Sequence, residues 1–313
     1  MELTILGIVF SRDRAMQLNG TLQSLFLHCK DADEMQLFVI YKTTSRLHAQ
    51  QYSQLANEYD RVGFIRERDF RQNVLELLVT HASERPSGVC RWSIRLGPML
   101  GRLNKLCFPT DRPSYVLFLV DDNMFVRDFS LREVQAMLEA YPKALGFSLR
   151  LGTNTTHCYP VDKPQAVPPV TYLGSGVIML DWTATGDSGC DFGYPLEVSS
   201  SVYRVSELLP FLNRLPFRNP NTLEGQMATS AHKFRSNPHL LCYERSVAFA
   251  IPLNRVQTVY DNRAATIPDY SVERLAKMFE DGHRINVKAY CEFVPNACHQ
   301  EVELLFEKPV AIQ

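Results

Sequence analysis

Along the first half of the chain, short uninterrupted apolar runs alternate with polar segments whose apolar residues recur every three or four positions. The run at 3–10, LTILGIVF, suits a strand buried on both faces, the situation of a parallel sheet. Ser11-Arg12-Asp13-Arg14 interrupts it, and Met16, Leu18, Leu22, Leu25 and Phe26 then follow at helical spacing. The same alternation predicts strands at 35–41 and 62–66 and helices at 46–60, 71–81 and 95–107. A further strand is predicted at 115–120, where YVLFLV runs straight into Asp121-Asp122-Asn123. Strands alternating with helices imply an α/β fold, with a mostly parallel central sheet flanked by helices on both faces. Ligands of such sheets bind beyond the carboxyl ends of the strands, where 11–14 and 121–123 both fall.

The second half is less regular. A helix at 130–140 and a strand at 146–152 continue the pattern. Pro160, Pro164, Pro168 and Pro169 then mark an irregular segment or flap. YLGSGVIMLDW at 172–182 predicts a glycine-containing turn feeding a strand. Ser206 is placed to cap a helix over 207–214, with Pro210 in its first turn. Another helix should begin near Asn221 or Thr222, and a late one after Ser271. The tail, 300–313, suits a strand or a docked arm. There is no internal repeat and no low-complexity tract. A soft division near 150 separates a first half, 1–150, from a second half, 151–313, within one continuous domain.

Charge and cysteine content narrow the chemistry. With 33 Lys+Arg against 34 Asp+Glu, no global basic field points to nucleic acid as a partner. The eight cysteines are widely and irregularly spaced, which favours reduced thiols over a disulfide framework and excludes zinc-finger spacing. The first apolar run is too short, and too acidic at its start, for a signal peptide. No run approaches the roughly 20 apolar residues of a membrane span. A cytoplasmic protein of bacterial type is therefore expected; association with the inner face of the membrane would be peripheral. G-x-G-x-x-G after the first strand and G-x-x-x-x-G-K-[ST] anywhere are both missing, which weakens dehydrogenase and P-loop readings.

Three groups of residues could carry chemistry. Buried strands seldom end in carboxylates without a partner, because an unpaired buried charge is costly. Alternation puts Asp121 and Asn123 on one side and Asp122 on the other. Oxygen ligands at a strand end suit Mg2+ or Mn2+ shared with substrate phosphates; a solvated Asp/Asn turn is the bland alternative. In the 11–14 loop, Arg12 and Arg14 suit phosphate or base contacts and Asp13 a base or ribose hydroxyl. Asp13 would equally serve as a helix N-cap. In NPNTLEG (219–225), Glu224 is a candidate general base, or else completes a capping box with Asn221. Glu197 and Asp191 are weaker rivals, and His239 and His283 are minor candidates for a metal site.

Taken in order, VFSRDRAMQL (9–18), FLVDDNMF (118–125), LGSGVIML (173–180) and NPNTLEG (219–225) resemble a GT-A glycosyltransferase, closest to bacterial, inverting, family-2-like members. The resemblance covers most of residues 1–260 by order of elements. It implies a Rossmann-like sheet that grips a nucleotide-sugar, with a mixed, acceptor-binding second half. The implied reaction moves a sugar to a hydroxyl of a glycan or lipid-linked acceptor. Ser11, Arg12, Asp13, Arg14, Asp121, Asp122, Gly174, Ser175, Gly176 and Arg255 would bind the donor. Asp121, Asp122 and Asn123 would hold Mn2+ or Mg2+, and Glu224 would be the base. Position 123 departs from the family's D-x-D, since an amide oxygen binds a hard cation less well than a carboxylate does. A sugar-phosphate nucleotidyltransferase and a non-catalytic nucleotide- or sugar-binding module remain the alternatives.

Overall fold

In the computed structural model, which describes residues 3–80, 114–185, 189–254, 256 and 270–307, the apolar runs become strands and the periodic segments become helices. The helix expected at 95–107 lies outside the described residues. The first half contains β1 (Ile5–Arg12), α1 (Ala15–His28), β2 (Gln36–Lys42), α2 (Arg46–Glu58), β3 (Val62–Arg66) and α3 (Phe70–Thr80). It continues through β4 (Tyr115–Val120), β5 (Asn123–Phe125), α4 (Leu131–Ala140) and β6 (Ala144–Ser148). The second half adds β7 (His157–Cys158), β8 (Lys163–Pro164), β9 (Val170–Gly174), β10 (Val177–Asp181), β11 (Ser201–Arg204) and α5 (Val205–Leu212). Then come α6 (Pro220–Thr229), β12 (His239–Tyr243), β13 (Ala248–Ala250), α7 (Val272–Glu280), β14 (Arg284–Ile285) and β15 (Phe306–Glu307).

Nine strands form one sheet in the order β3-β2-β1-β4-β11-β6-β12-β10-β9. β3, β2, β1 and β4 are mutually parallel. β11 runs against both β4 and β6, and β6 is parallel to β12. β10 is reversed, and β9 turns back beside it. The parallel first half and mixed second half are those expected. One consequence positions everything below: the carboxyl ends of β1, β4, β6 and β12, the start of β11 and the β9–β10 turn all lie at the same end of the sheet.

Burial on both faces explains the unbroken apolar runs. On β4, Tyr115, Leu117 and Leu119 enter a core shared with α1, α2, α4 and α7. Val116 and Phe118 enter the opposite core with α3, α5 and α6. Phe118 is fully buried, and truncation there to alanine costs about 3–5 kcal/mol. Caps fix the helix starts. Ser45, Ser130 and Ser271 each accept from the backbone N–H three residues on.

Three local expectations are revised. The proline-rich segment is not wholly irregular, since Lys163–Pro164 pairs with His157–Cys158 and β9 starts at Val170. α5 begins at Val205 rather than after Ser206, so Pro210 is its sixth residue instead of a first-turn one. The proline lacks the N–H that would bond the Ser206 carbonyl, a loss a helix of two turns absorbs by ending at Leu212. α6 is capped by Asn219, with Pro220 in its first turn, earlier than the Asn221 or Thr222 start expected. The tail docks as foreseen. Gln300 donates to the Ala250 carbonyl at 3.0 Å, and Phe306–Glu307 pairs with β14.

Candidate functional site

The acidic loop after β4 and the loop after β1 meet because their strands are neighbours. Asp121 is 4% exposed and its carboxylate is fully engaged. Oδ2 accepts from Ser11 Oγ at 2.8 Å and from the Arg12 N–H at 3.2 Å. Oδ1 accepts from Arg14 Nη1 at 3.1 Å. Ser11 Oγ also hydrogen-bonds the Tyr52 hydroxyl, which takes the Arg14 N–H at 3.2 Å. The partner that Asp121 requires is therefore the loop 11–14 itself.

Arg14 ties the cluster together. Its Nη1 also donates to Asp122 Oδ2 at 3.2 Å, its Nε to Asn254 Oδ1 at 2.9 Å, and its Nη2 to the Asn254 carbonyl. Burial pulls its pKa down, but Asp121 and Asp122 outweigh that and raise it. Asp13 has φ 54 and clasps Thr44, accepting from its N–H at 2.8 Å and its hydroxyl at 3.0 Å. That clasp ties the β1 loop to the β2 loop. Asp13 does not cap α1, whose N-cap is Arg14. Arg12 is 44% exposed, beside Asp13 at 3.7 Å.

The three acidic-loop residues alternate as expected. Asp121 and Asn123 point inward and Asp122 outward. Asn123 is 1% exposed; its Oδ1 accepts from the Val120 N–H and its Nδ2 donates to Ser199 Oγ, both at 2.9 Å. An amide suits this position because it must accept at one end and donate at the other. Asn123 Oδ1 and both Asp121 oxygens already accept hydrogen bonds from the protein. Asp122 retains Oδ1. Burial, offset by Arg14 and reinforced by Asp121, pushes its carboxyl up to about 6. Two carboxylates against one guanidinium leave a net negative charge, and Asp122 is where it is accessible.

Glu224, on α6, is near enough to Arg150, Glu197 and Asp122 to feel their charges. The capping box of α6 is closed by Asn219 and Thr222, not by Asn221 and Glu224, so the Glu224 carboxyl is free of that duty. Burial, opposed by Arg150 and reinforced by Glu197 and Asp122, pushes it up to about 7. The Val198 N–H donates to it. A half-ionised carboxyl at neutral pH is what a general base requires.

Several residues of this end were not singled out from the sequence. Arg150 follows β6, is 3% exposed, and lies 3.6 Å from Glu197 Oε2. Its Nη1 is buried without a hydrogen-bond partner among the described residues. The signal was present: one arginine inside the apolar run GFSLRLG. Glu197 accepts from the Ser199 N–H and Ser201 Oγ, which leaves it poorly suited as a base. Asp191 is bound reciprocally to Gln165, at 3.0 and 3.1 Å. His299 is held neutral by burial and then by Arg150, its pKa lowered to about 3. No local pattern marked it.

The remaining sequence candidates are placed elsewhere or apart. Gly174, Ser175 and Gly176 all have positive φ and form the exposed β9–β10 turn; both glycines have open space where a Cβ would sit. The turn is at the correct end of the sheet, yet no described side chain links it to the acidic cluster. His239 starts β12 at the opposite end, and His283 follows α7. Arg255 lies outside the described residues. Among the described residues no three His, Cys, Asp or Glu converge as a metal site. Among the expected ligands Asp122 is the most accessible to a divalent cation, which substrate phosphates and water would complete, a coordination Mg2+ commonly accepts.

No family model matches the chain. It is 25% identical over 280 residues to "Bifunctional glycosyltransferase pgtA" of Dictyostelium discoideum, covering 82% of this chain and 32% of that protein. The chain is thus a relative of a glycosyltransferase, and spans about a third of its length. Among solved structures, S. aureus TarS is similar at 12% identity and TM-score 0.43, over 79% of this chain and 36% of that one. A UDP-glucose pyrophosphorylase complexed with UDP-glucose is similar at 9% identity and TM-score 0.36, over 77% of this chain and 90% of that one. Likenesses at this level carry no argument about activity.

Proposed function

We propose that the chain is a GT-A glycosyltransferase that moves a sugar from a nucleotide-sugar to a hydroxyl of a glycan or lipid-linked acceptor, with Glu224 as general base. The observation that carries this reading is the Glu224 carboxyl, raised to about 7 by burial and standing within the charge field of Arg150, Glu197 and Asp122. The relation to a glycosyltransferase supports the same reaction class.

Glu224 takes the proton of the acceptor hydroxyl as its oxygen bonds the anomeric carbon and the bond to the diphosphate breaks. The sugar passes through an oxocarbenium-like state. A single base on the acceptor side, with Asp122 assigned to the cation and Asp121 and Glu197 engaged by the protein, supports inversion. The site carries Asp121, Asp122, Glu197 and Glu224 against Arg14 and Arg150, so a bare diphosphate would be repelled. Mn2+ or Mg2+ held by Asp122 would neutralise the diphosphate and stabilise the departing charge. Arg12, exposed at the same loop, is available for the phosphates. Ser11, Asp13, Arg14 and Asp121 position rather than contact; they fix the loop from which Asp122 projects. No helix among the described residues is long and apolar enough to cross a membrane.

The test is a panel of nucleotide-sugars with mixed glycan and lipid-linked acceptors, with and without Mn2+, followed by mass spectrometry. Glycosylated acceptor and free nucleoside diphosphate are expected. Pyrophosphate release from a nucleoside triphosphate and a sugar phosphate would instead establish a nucleotidyltransferase, and binding without turnover a non-catalytic module.

A further inference from the structure

Away from the acidic loop, a second group of reactive side chains converges where α1 ends against the segment before β15. Cys291 Sγ lies 3.5 Å from His28 Nε2, and His28 Nδ1 lies 3.0 Å from Asp128 Oδ1. The three residues come from positions far apart in the chain, so the arrangement is a product of the fold. Asp128 can only accept, which places the imidazole proton on Nδ1 and leaves Nε2 to accept from the thiol. His28 is buried in the last turn of α1.

The other described free cysteines set the contrast. Cys29, Cys158, Cys190, Cys242 and Cys298 are buried, whereas Cys291 is exposed. Burial pushes the Cys158 and Cys242 thiols up to about 12, and burial together with Asp31 raises Cys29 as well. Cys29 donates to Asp31 Oδ1 at 3.3 Å, an anion that holds the proton on sulfur. Cys291 faces a base instead. Its position is fixed by the next residue: the Glu292 N–H donates to the Val126 carbonyl at 2.7 Å, and the Glu292 carboxylate accepts from Arg127 at 3.0 Å.

We propose that Cys291 is a nucleophilic thiol that reacts with small hydroperoxides, with His28 as its base and Asp128 orienting the ring. His28 Nε2 takes the thiol proton, and the thiolate attacks one peroxide oxygen. The S–O bond forms as the O–O bond breaks. Sulfur gives up two electrons to become a sulfenic acid, and the peroxide is reduced. The leaving hydroxide takes the imidazolium proton and departs as water. The exposed sulfur lets the reagent approach, and the His–Asp pair supplies the thiolate.

The experiment exposes the full chain to hydrogen peroxide, traps sulfenic acid with dimedone, and follows the Cys291 peptide by mass spectrometry. Native Cys291 is expected to react roughly tenfold faster than the same residue in urea-unfolded chain, since a free thiol is only a few per cent thiolate at neutral pH. His28→Gln should lower the native rate by at least about fivefold, on the same reasoning. Asp128→Asn, an exposed position that leaves the core untouched, should lower it severalfold and decides the matter if His28→Gln misfolds. Equal native and unfolded rates, or a rate in Asp128→Asn indistinguishable from wild type, would overturn the proposal.

Discussion

Replacing Glu224 by glutamine should stabilise the protein at alkaline pH while removing its proposed activity. The folded-state carboxyl sits at about 7 against an ordinary 4.5, so the fold disfavours its ionised form. The sign follows from that direction. Wild type loses stability as pH rises from about 4.5 through about 7, because the unfolded chain releases its proton first, and the loss levels off above that range. A shift of this size corresponds to about 3 kcal/mol at pH 8 and under about 1 kcal/mol at pH 5. The substituted glutamine would keep an oxygen for the Val198 N–H and carry no charge, so it escapes the penalty. Urea denaturation of both proteins at pH 5 and pH 8 reads the difference. Other titrating groups are common to the two chains, which isolates Glu224. The variant should gain about 2–3 kcal/mol more at pH 8 than at pH 5. A gain that does not change with pH, or a loss at both, would refute the placement of Glu224 against Asp122 and Glu197.

The acidic loop gives three further predictions. Asp121→Ala removes an acceptor from the Ser11 hydroxyl, the Arg12 N–H and buried Arg14, and should cost roughly 3–5 kcal/mol by urea denaturation. Asn123→Asp should leave Mn2+ affinity unchanged by calorimetric titration, because the side chain faces Val120 and Ser199; it should lower stability by about 1–3 kcal/mol as a third carboxylate enters the loop. Asp122→Asn should weaken Mn2+-dependent nucleoside diphosphate binding by about tenfold or more in the same titration, the loss of roughly 1.4 kcal/mol or more from one ligand.

The parallel half of the sheet was legible in the sequence because burial on both faces leaves an unbroken apolar run. Strands 3–10, 35–41, 62–66 and 115–120 all appear within two residues of where they were expected. The reversed β11 was not. Its four residues, SVYR, are too few to show a period, and their place between β4 and β6 is set by long-range pairing. The acidic loop was found for a sound reason, the cost of an unpartnered carboxylate. Which of its faces is buried was not legible, because alternation fixes which residues share a side, not which side faces solvent. Glu224 comes within electrostatic reach of Asp122 only through the packing of α6 in the core beside β4. Arg150 was marked by its place inside an apolar run, but His299 has no local signature, and their meeting depends on the order of β6 and on the docking of 298–300 along β13.

The central claim is sugar transfer at Asp122 and Glu224. A single-turnover quench with a donor that the wild-type chain accepts tests it most directly, comparing wild type with Glu224→Gln. The account predicts that both proteins bind the nucleotide-sugar equally well and that wild type releases diphosphate as the acceptor is glycosylated. The glutamine variant should be slower by about 10²–10⁴-fold, the range for loss of a general base. Equal turnover in the two proteins would contradict it.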